Sequence, residues 1–158
     1  MAYIYPAPGN ANAQVILTLE TVGGTDTVGL VLPALQDVTL NNANDVFSWT
    51  QLDAASKQQI ATTATNSLSM NIVLDQTIFF GDAKATGEDA QTAGIFGLSK
   101  DKTKITFALY MGDTDSGGTG KTISGEGYIT GLAPTVSADS PVWVSPITVT
   151  VDGDYTVA

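Results

Sequence analysis

The chain has 158 residues, 16 acids against 6 bases, a formal charge of −10, and neither His nor Cys. All six bases are lysine. These absences exclude a Ser-His-Asp triad, a cysteine nucleophile, a zinc finger and a histidine-ligated metal, and the missing arginines weigh against any phosphate-gripping role.

The length is that of one ordinary domain, able to bury a core without disulfides or metal. Hydrophobic residues make up 43 % and charged residues only 14 %, with Thr, Ser, Asn and Gly filling the gap. That mixture suits pleated strands joined by turns. MAYIYPAPGNANAQ has neither a basic region nor an apolar run, so no signal peptide is read and the chain is expected to start as a soluble cytoplasmic product. No window reaches the ~18 apolar residues of a membrane span.

In chain order, residues 1–13, with Pro6, Pro8 and Gly9, read as an extended N-terminal arm. QVILTLE (14–20) and TVGLVL (27–32) form a hairpin across Gly23-Gly24. DVTL (37–40) and DVFSW (45–49) flank Asn41–Asn44, which reads as a turn. WTQLDAASKQQIATTAT (49–65) is polar and Thr-rich and reads as a long inter-strand loop, about 50–65. SLSMNIVLD (67–75) is the clearest strand, with Leu68, Met70, Ile72 and Leu74 on one face.

Residues 86–102 give the one helix candidate, about 87–99, with Thr86 as N-cap, Glu88 and Asp89 in the first turn and Lys100 and Lys102 after the end. KITFALY (104–110), TISGEGYIT (122–130) and VWVSPITVTV (142–151) complete the strands. In the last, apolar parity changes across Pro146, as at a bulge or an edge. No repeat or linker divides the chain, so the expectation is one mainly β domain over 1–158.

Charge is regional. Residues 1–83 hold seven acids and only Lys57, residues 84–121 five acids and five lysines, and residues 122–158 four acids and no base. SGGTGKT (116–122) resembles a phosphate loop, but Asp115 stands where Gly is needed and a strand follows instead of a helix. Asp113 and Asp115 open like a calcium loop that has Ser124 at its twelfth position, where a carboxylate is required. The pairs Asp113/Asp115 and Asp152/Asp154 are the remaining catalytic option, and turn propensity explains both. No catalytic residue, metal site or cofactor is assigned, and the chain reads as a non-enzyme.

The second half, taken as a whole, resembles the major tail tube proteins of long, non-contractile-tailed phages (siphophages). The features that carry this lie in order: the strand ending at Asp75, QTIFFGD (76–82), the helix candidate, KITFALYMGD (104–113), the Gly-rich loop, and GEGYITGLAPTVSADSPVWVSPITVTVDGDYTVA (125–158). Residues 49–65 resemble the long loop that leads into the family's central strand. The match spans roughly residues 45–158 and rests on order and spacing.

The resemblance implies a two-sheet, barrel-like β-sandwich with one short helix. It implies hexameric rings that stack into a hollow tube, with one sheet per subunit joined to its neighbours around the lumen. Implied partners are further copies of the chain, the tape-measure protein, tail-tip and tail terminator proteins, and DNA that passes through without specific binding. No membrane insertion is implied. The place implied is the tail of the virion, built in the host cytoplasm, and no immunoglobulin-like appendage follows the tube domain.

An acidic lumen repels phosphate and lets a duplex slide. Asp37, Asp45, Asp75 and Asp152 are the candidate lumen acids. Candidate ring-to-ring contacts are Tyr3 and Tyr5 of the arm, with Trp49, Leu52, Asp53 and Lys57 of the loop. The alternative is a non-enzymatic β-sandwich binding module, such as a capsid decoration protein or a surface adhesin domain.

Overall fold

A computed structural model describes residues 15–32, 35–53, 55–85, 87–112 and 120–158. Tyr3 and Tyr5, with the rest of the 1–13 arm, lie outside the described residues, as does Thr86. The elements are β1 (Val15–Thr21), β2 (Leu30–Leu32), β3 (Leu35–Trp49), β4 (Gln58–Val73), α1 (Gln76–Phe80), α2 (Asp89–Lys100), β5 (Ile105–Met111), β6 (Lys121–Leu132), β7 (Thr135–Ser137), β8 (Ser140–Val151) and β9 (Thr156–Val157).

All pairings are antiparallel, in the order β2-β1-β5-β6-β8-β4-β3, with β9 on β6 and β7 on β8. The two sheets of the expected sandwich share one strand. Residues 121–127 of β6 pair with β5, and residues 127–132 pair with β8. Gly127 belongs to both ladders, opposite Ile105 and Val151. A Cβ there would stand 2.3 Å from the Thr150 carbonyl oxygen, so only glycine lets the strand turn this corner.

Period-two alternation in β1, β4, β5 and β8 buries Leu17 and Leu19, Leu68 to Ile72, Ile105 to Leu109, and Ile147 and Val149 in one core. Tyr155 shows how far the sheet rolls. Its ring meets Phe107 of β5 edge-on at 6.2 Å, while its hydroxyl donates to the Asn41 carbonyl of β3 at 2.8 Å. Those strands are separated by β6, β8 and β4 in the sheet order.

The helices cover the core beside β1, β2 and β6. Two are found where one was expected, because QTIFF forms a helical turn capped by the Asp75 carboxylate, which accepts from the Thr77 and Ile78 amides at 2.9 and 3.2 Å. α2 has no side-chain cap from its own residue Glu88. Its Ala90 amide donates instead to Asp26 Oδ1 in the β1–β2 connection, at 2.9 Å, and Asp89 accepts from the Thr25 amide. α2 kinks at Gly94, φ 66°, where a Cβ would strike the Gly81 amide nitrogen.

Two local expectations are corrected, and the third, a bulge or an edge at Pro146, resolves toward the edge. Asn41–Asn44 is no turn but the middle of the continuous strand β3, paired with Ser67, Asn66, Thr65 and Ala64. Residues 58–65 of the expected loop are strand, so the connection shrinks to 50–57. Pro146 brings no bulge to the β4–β8 ladder, where it stands opposite Asn71. On the other side of β8 it falls between the last β6 pair, Leu132↔Ile147, and the β7 pair Thr135↔Val144. A residue with no amide hydrogen is tolerated at such a gap.

Asp26 accepts from the Thr21 amide (2.8 Å), the Thr21 hydroxyl (2.5 Å) and Ala90. Burial opposes its charge, but these bonds together hold the carboxyl below its ordinary 3.8. A depressed carboxylate stabilises the fold fully above its unfolded value and loses that contribution as pH falls through the folded one. Asp26→Asn is therefore expected to cost about 1–2 kcal/mol at neutral pH and to flatten the acid limb of the stability curve below pH ~4, measured by urea unfolding across pH. Gly127→Ala is expected to lower stability by about 1–3 kcal/mol in the same assay.

Candidate assembly surface

Beyond Asn66 on β4, the last buried position on the way to the turn, the β3–β4 hairpin leaves the core. Residues 41–47 of β3 and 58–65 of β4 are exposed on both faces. Eight residues of strand carry the hairpin roughly 25 Å outward.

Its sequence supplies a strand pair with no core to face. Thr, Ala, Asn and Gln keep the base soluble, while Val46, Phe47, Trp49 and Ile60 sit toward the tip with no buried partner. Phe47 and Trp49 stack at 5.9 Å, and Ile60 lies opposite Phe47. Phe47, Ile60 and Trp49 remain 59, 55 and 38 % exposed, and Leu52 is fully exposed. Isolated exposed apolars are common, but a cluster of this size on a projecting arm marks an interaction surface.

The pairs Asn44↔Ala64 and Val46↔Ala61 put Thr62 and Thr63 opposite Asp45 alone, so the bulge lies in β4 and β3 keeps its parity. Asp45 holds the bulge, its carboxylate accepting from Thr63 and its carbonyl from Thr62 at 3.1 and 3.2 Å. Asp37, Thr39, Asn41, Ala43, Asp45, Phe47 and Trp49 therefore share one face of β3, the face turned away from the core.

That outer face continues across β4, β8 and β6 in rows. Asp37, Asn71 and Pro146 form one, Thr39, Ser69 and Thr148 the next, and Asn41, Ser67, Thr150 and Tyr128 a third. Thr130 and Thr150 hydroxyls meet at 2.9 Å. Short hydroxyls and amides dominate. These rows hold one carboxylate, Asp37, and no base. Asn71 Nδ2 fixes that carboxylate by donating to both of its oxygens, at 2.8 and 3.0 Å.

The four candidate lumen acids are not brought together. Asp37 lies in the rows, Asp45 follows it along β3 onto the arm, and Asp75 caps α1 beyond the opposite end of β4. Asp152 follows β8 and pairs with Lys104 at 3.0 Å, and Glu126 pairs with the same lysine at 2.8 Å. Hydrogen bonds to Glu126 and then Asp152 hold the Lys104 ammonium well above its ordinary pKa, so the lysine stays charged at neutral pH. Trp49, Leu52, Asp53 and Lys57 all lie at or beside the arm's tip and are exposed or at its paired end. Residues 113–119, which include Asp113 and Asp115, lie outside the described residues, and strand β6 begins just after them at Lys121.

The edges complete the surface. β3, 15 residues long, ends the sheet order and pairs with β4 alone among the described strands. At the other side of the same half, β6 beyond Gly127 has β8 as its described partner, and β7 is three residues long. Both sides offer backbone groups to a further strand.

No protein-family model matches the chain, and no curated protein matches it by sequence. Solved structures do. The SPP1 tail tube superposes with a TM-score of 0.66 at 12 % identity, over 92 % of this chain and 76 % of that one.

The chain has the tail tube fold.

The tail of an empty gene transfer agent particle, refined with C6 symmetry, matches at TM-score 0.61 and 10 % identity, over 96 and 99 % of the two chains. The sheath/tube terminator of an extracellular contractile injection system matches at 0.59 and 16 %, over 99 % of each. The fold expected from the sequence resemblance is the fold observed.

Since the arm packs on no core, Phe47→Ser and Trp49→Ser are each expected to change unfolding free energy by less than about 0.5 kcal/mol. A loss above 2 kcal/mol in urea melts of the unassembled protein would show that the arm folds back on its own subunit.

Proposed function

We propose that this chain is a structural, non-enzymatic subunit of a phage-type tail tube, closing into rings that stack into a hollow tube. The observation that carries this reading is the pair of open edges on the β6–β8–β4–β3 half. Edges at opposite sides of one sheet join head to tail, and such a heterologous contact closes into a ring when its rotation divides a full turn. Pairing both edges removes the exposed backbone that otherwise invites disordered aggregation. The C6 symmetry of the gene transfer agent tail supports six as the ring number.

In that ring the outer face of the half-sheet lines the lumen. Across its three rows the lining is then hydroxyls and amides with one fixed carboxylate per subunit, Asp37. Asp45 continues the same face along β3, and Glu126 and Asp152, paired with Lys104, stand at its margin. A surface without Lys or Arg offers phosphate no ion pair, so a duplex or an elongated protein slides past it. The tape-measure protein is the proposed occupant before ejection and DNA during it. Tail-tip and terminator proteins are the proposed partners at the ends. The finished structure belongs to the virion tail, assembled in the host cytoplasm. Ring-to-ring contact falls to the arm, through Trp49 and Leu52 with Asp53 and Lys57, and to Tyr3 and Tyr5 of the N-terminal segment.

Negative-stain microscopy of the purified protein tests this. Stacked rings or tubes are expected, and a field of small separate particles at all concentrations would overturn the reading in favour of a binding module. Replacing residues 44–64 by a two-residue Asn-Gly turn keeps the Ala43↔Thr65 register and is expected to leave a folded protein that forms no tubes.

A further inference from the structure

The arm and an aromatic groove lie at opposite ends of the same strand. β4 starts at the arm's tip, where Gln58 pairs with Trp49, and ends at Val73. Sixteen residues of strand separate the two ends by roughly 50 Å. Immediately past Val73, Leu74 donates its amide to the Trp143 carbonyl at 2.9 Å, and Asp75 starts α1.

There Leu74, Phe79, Phe80, Phe96, Pro134 and Trp143 line a groove of ≈ 550 Å³, with Asp75 among its lining residues. Phe79 is buried and anchors the group, its ring 4.9 Å from Phe80 and 5.9 Å from Phe96. Phe80, Trp143 and Phe96 remain 63, 53 and 45 % exposed. Nothing in the fold of the subunit requires three aromatic rings to stand open at this end.

We infer that the groove receives the arm tip of a second copy of this chain, in the next ring of the stack. This rests on the tube reading above and names the surface that the arm meets. Three observations choose the occupant. First, the poles are opposite, so copies in the same orientation, displaced along the strand direction, bring arm to groove; a contact between unlike ends repeats without closing and makes a filament.

Second, the faces match. Phe47 and Trp49 lie on the outer face of β3, and Ile60 pairs with Phe47. Trp143 has the parity of buried Ser145 and Ile147, which puts it on the core side, the side the helices cover. Copies that overlap without inversion must pair the outer face of one with the core side of the other, and the apolar groups lie on those two sides.

Third, a charge pair is at hand. Lys57 at the tip, beside Asp53, is the one base in residues 1–83, and the groove carries Asp75 with no base among its lining residues. The pairing covers the largest open aromatic rings at each end. It also joins a stacked aromatic pair to an aromatic pocket, the composition of energetically dominant interface contacts.

The chain has no cysteine, so single cysteines report contacts cleanly. Leu52→Cys and Phe80→Cys are introduced into separate chains, the proteins are mixed and allowed to assemble, and a short thiol cross-linker is added. The expected result is a covalent dimer in the mixture and none in either variant alone. A third variant, Val31→Cys on the exposed face of β2, is expected to give none with Leu52→Cys.

In parallel, Trp143→Ser and Phe96→Ser are expected to raise the concentration at which tubes first appear at least about tenfold, with circular dichroism and melting unchanged. Normal tubes from both serine variants, with no Leu52–Phe80 cross-link, would overturn the groove and leave the tube reading standing. A wild-type protein that forms no tubes overturns both. Loss of folding in a serine variant passes the decision to the cross-link alone.

Discussion

A strand of 15 residues at the end of a sheet, paired on one side only, governs this structure. Half of the backbone groups along β3 that a sheet would pair have no partner strand among the described elements. In water such an edge recruits another chain. Most proteins blunt an edge by shortening it, by bulging it or by placing lysine along it. β3 carries no lysine, and its bulges lie at Gln36 and, in its partner, at Thr62-Thr63. Among the described elements the edge is long and open, as the proposed joining of subunits requires.

The rest of the fold presents that edge. Gly127 turns β6 from one half-sheet into the other, so the β1–β5 half and the helices are stacked on the core side of β8, β4 and β3. Lys104 ties the corner by bridging Glu126 of β6 to Asp152 just past β8. Asp26 ties the β1–β2 connection to the start of α2. The outer face of the second half is thereby left clear of any other described element and carries rows of Thr, Ser and Asn. Most of the sixteen acids stand off these rows, Glu88, Asp89 and Asp101 around α2 in a stretch whose lysines balance them, and Asp53 and Asp75 toward the two ends of β4.

The core was legible because burial imposes a period. Leu17 and Leu19, Leu68 to Ile72, and Ile105 to Leu109 alternate along their strands. The first and last became strands within one residue of their expected bounds, while the strand of Leu68 to Ile72 begins nine residues earlier than expected, at Gln58. The arm was illegible for the same reason turned around. Residues 41–47 and 58–65 face water on both sides, so no alternation marks them, and Asn41-Asn42-Ala43-Asn44 mimics turn chemistry while lying in an unbroken ladder. α1 is too short for a helical period to show. Its signal was local: Asp75 followed by Thr77 is an N-cap pattern. The groove was harder still. It joins Phe80, Phe96, Pro134 and Trp143, which no spacing rule connects. Trp49 and Leu52 stood out as large apolar residues in a polar segment, and both are exposed at the end of the hairpin.

The central claim is that β3 is completed by a strand of another subunit. Amide hydrogen exchange along β3, read before and after assembly by mass spectrometry with short peptides, tests it most directly. In the unassembled protein the β3 amides that do not face β4 are expected to exchange quickly, and in assembled tubes those between Asp37 and Asn44 are expected to slow by at least about a hundredfold. Tubes in which that stretch exchanges as fast as in the free subunit would contradict the account, since rings would then be held by something other than a continuous sheet.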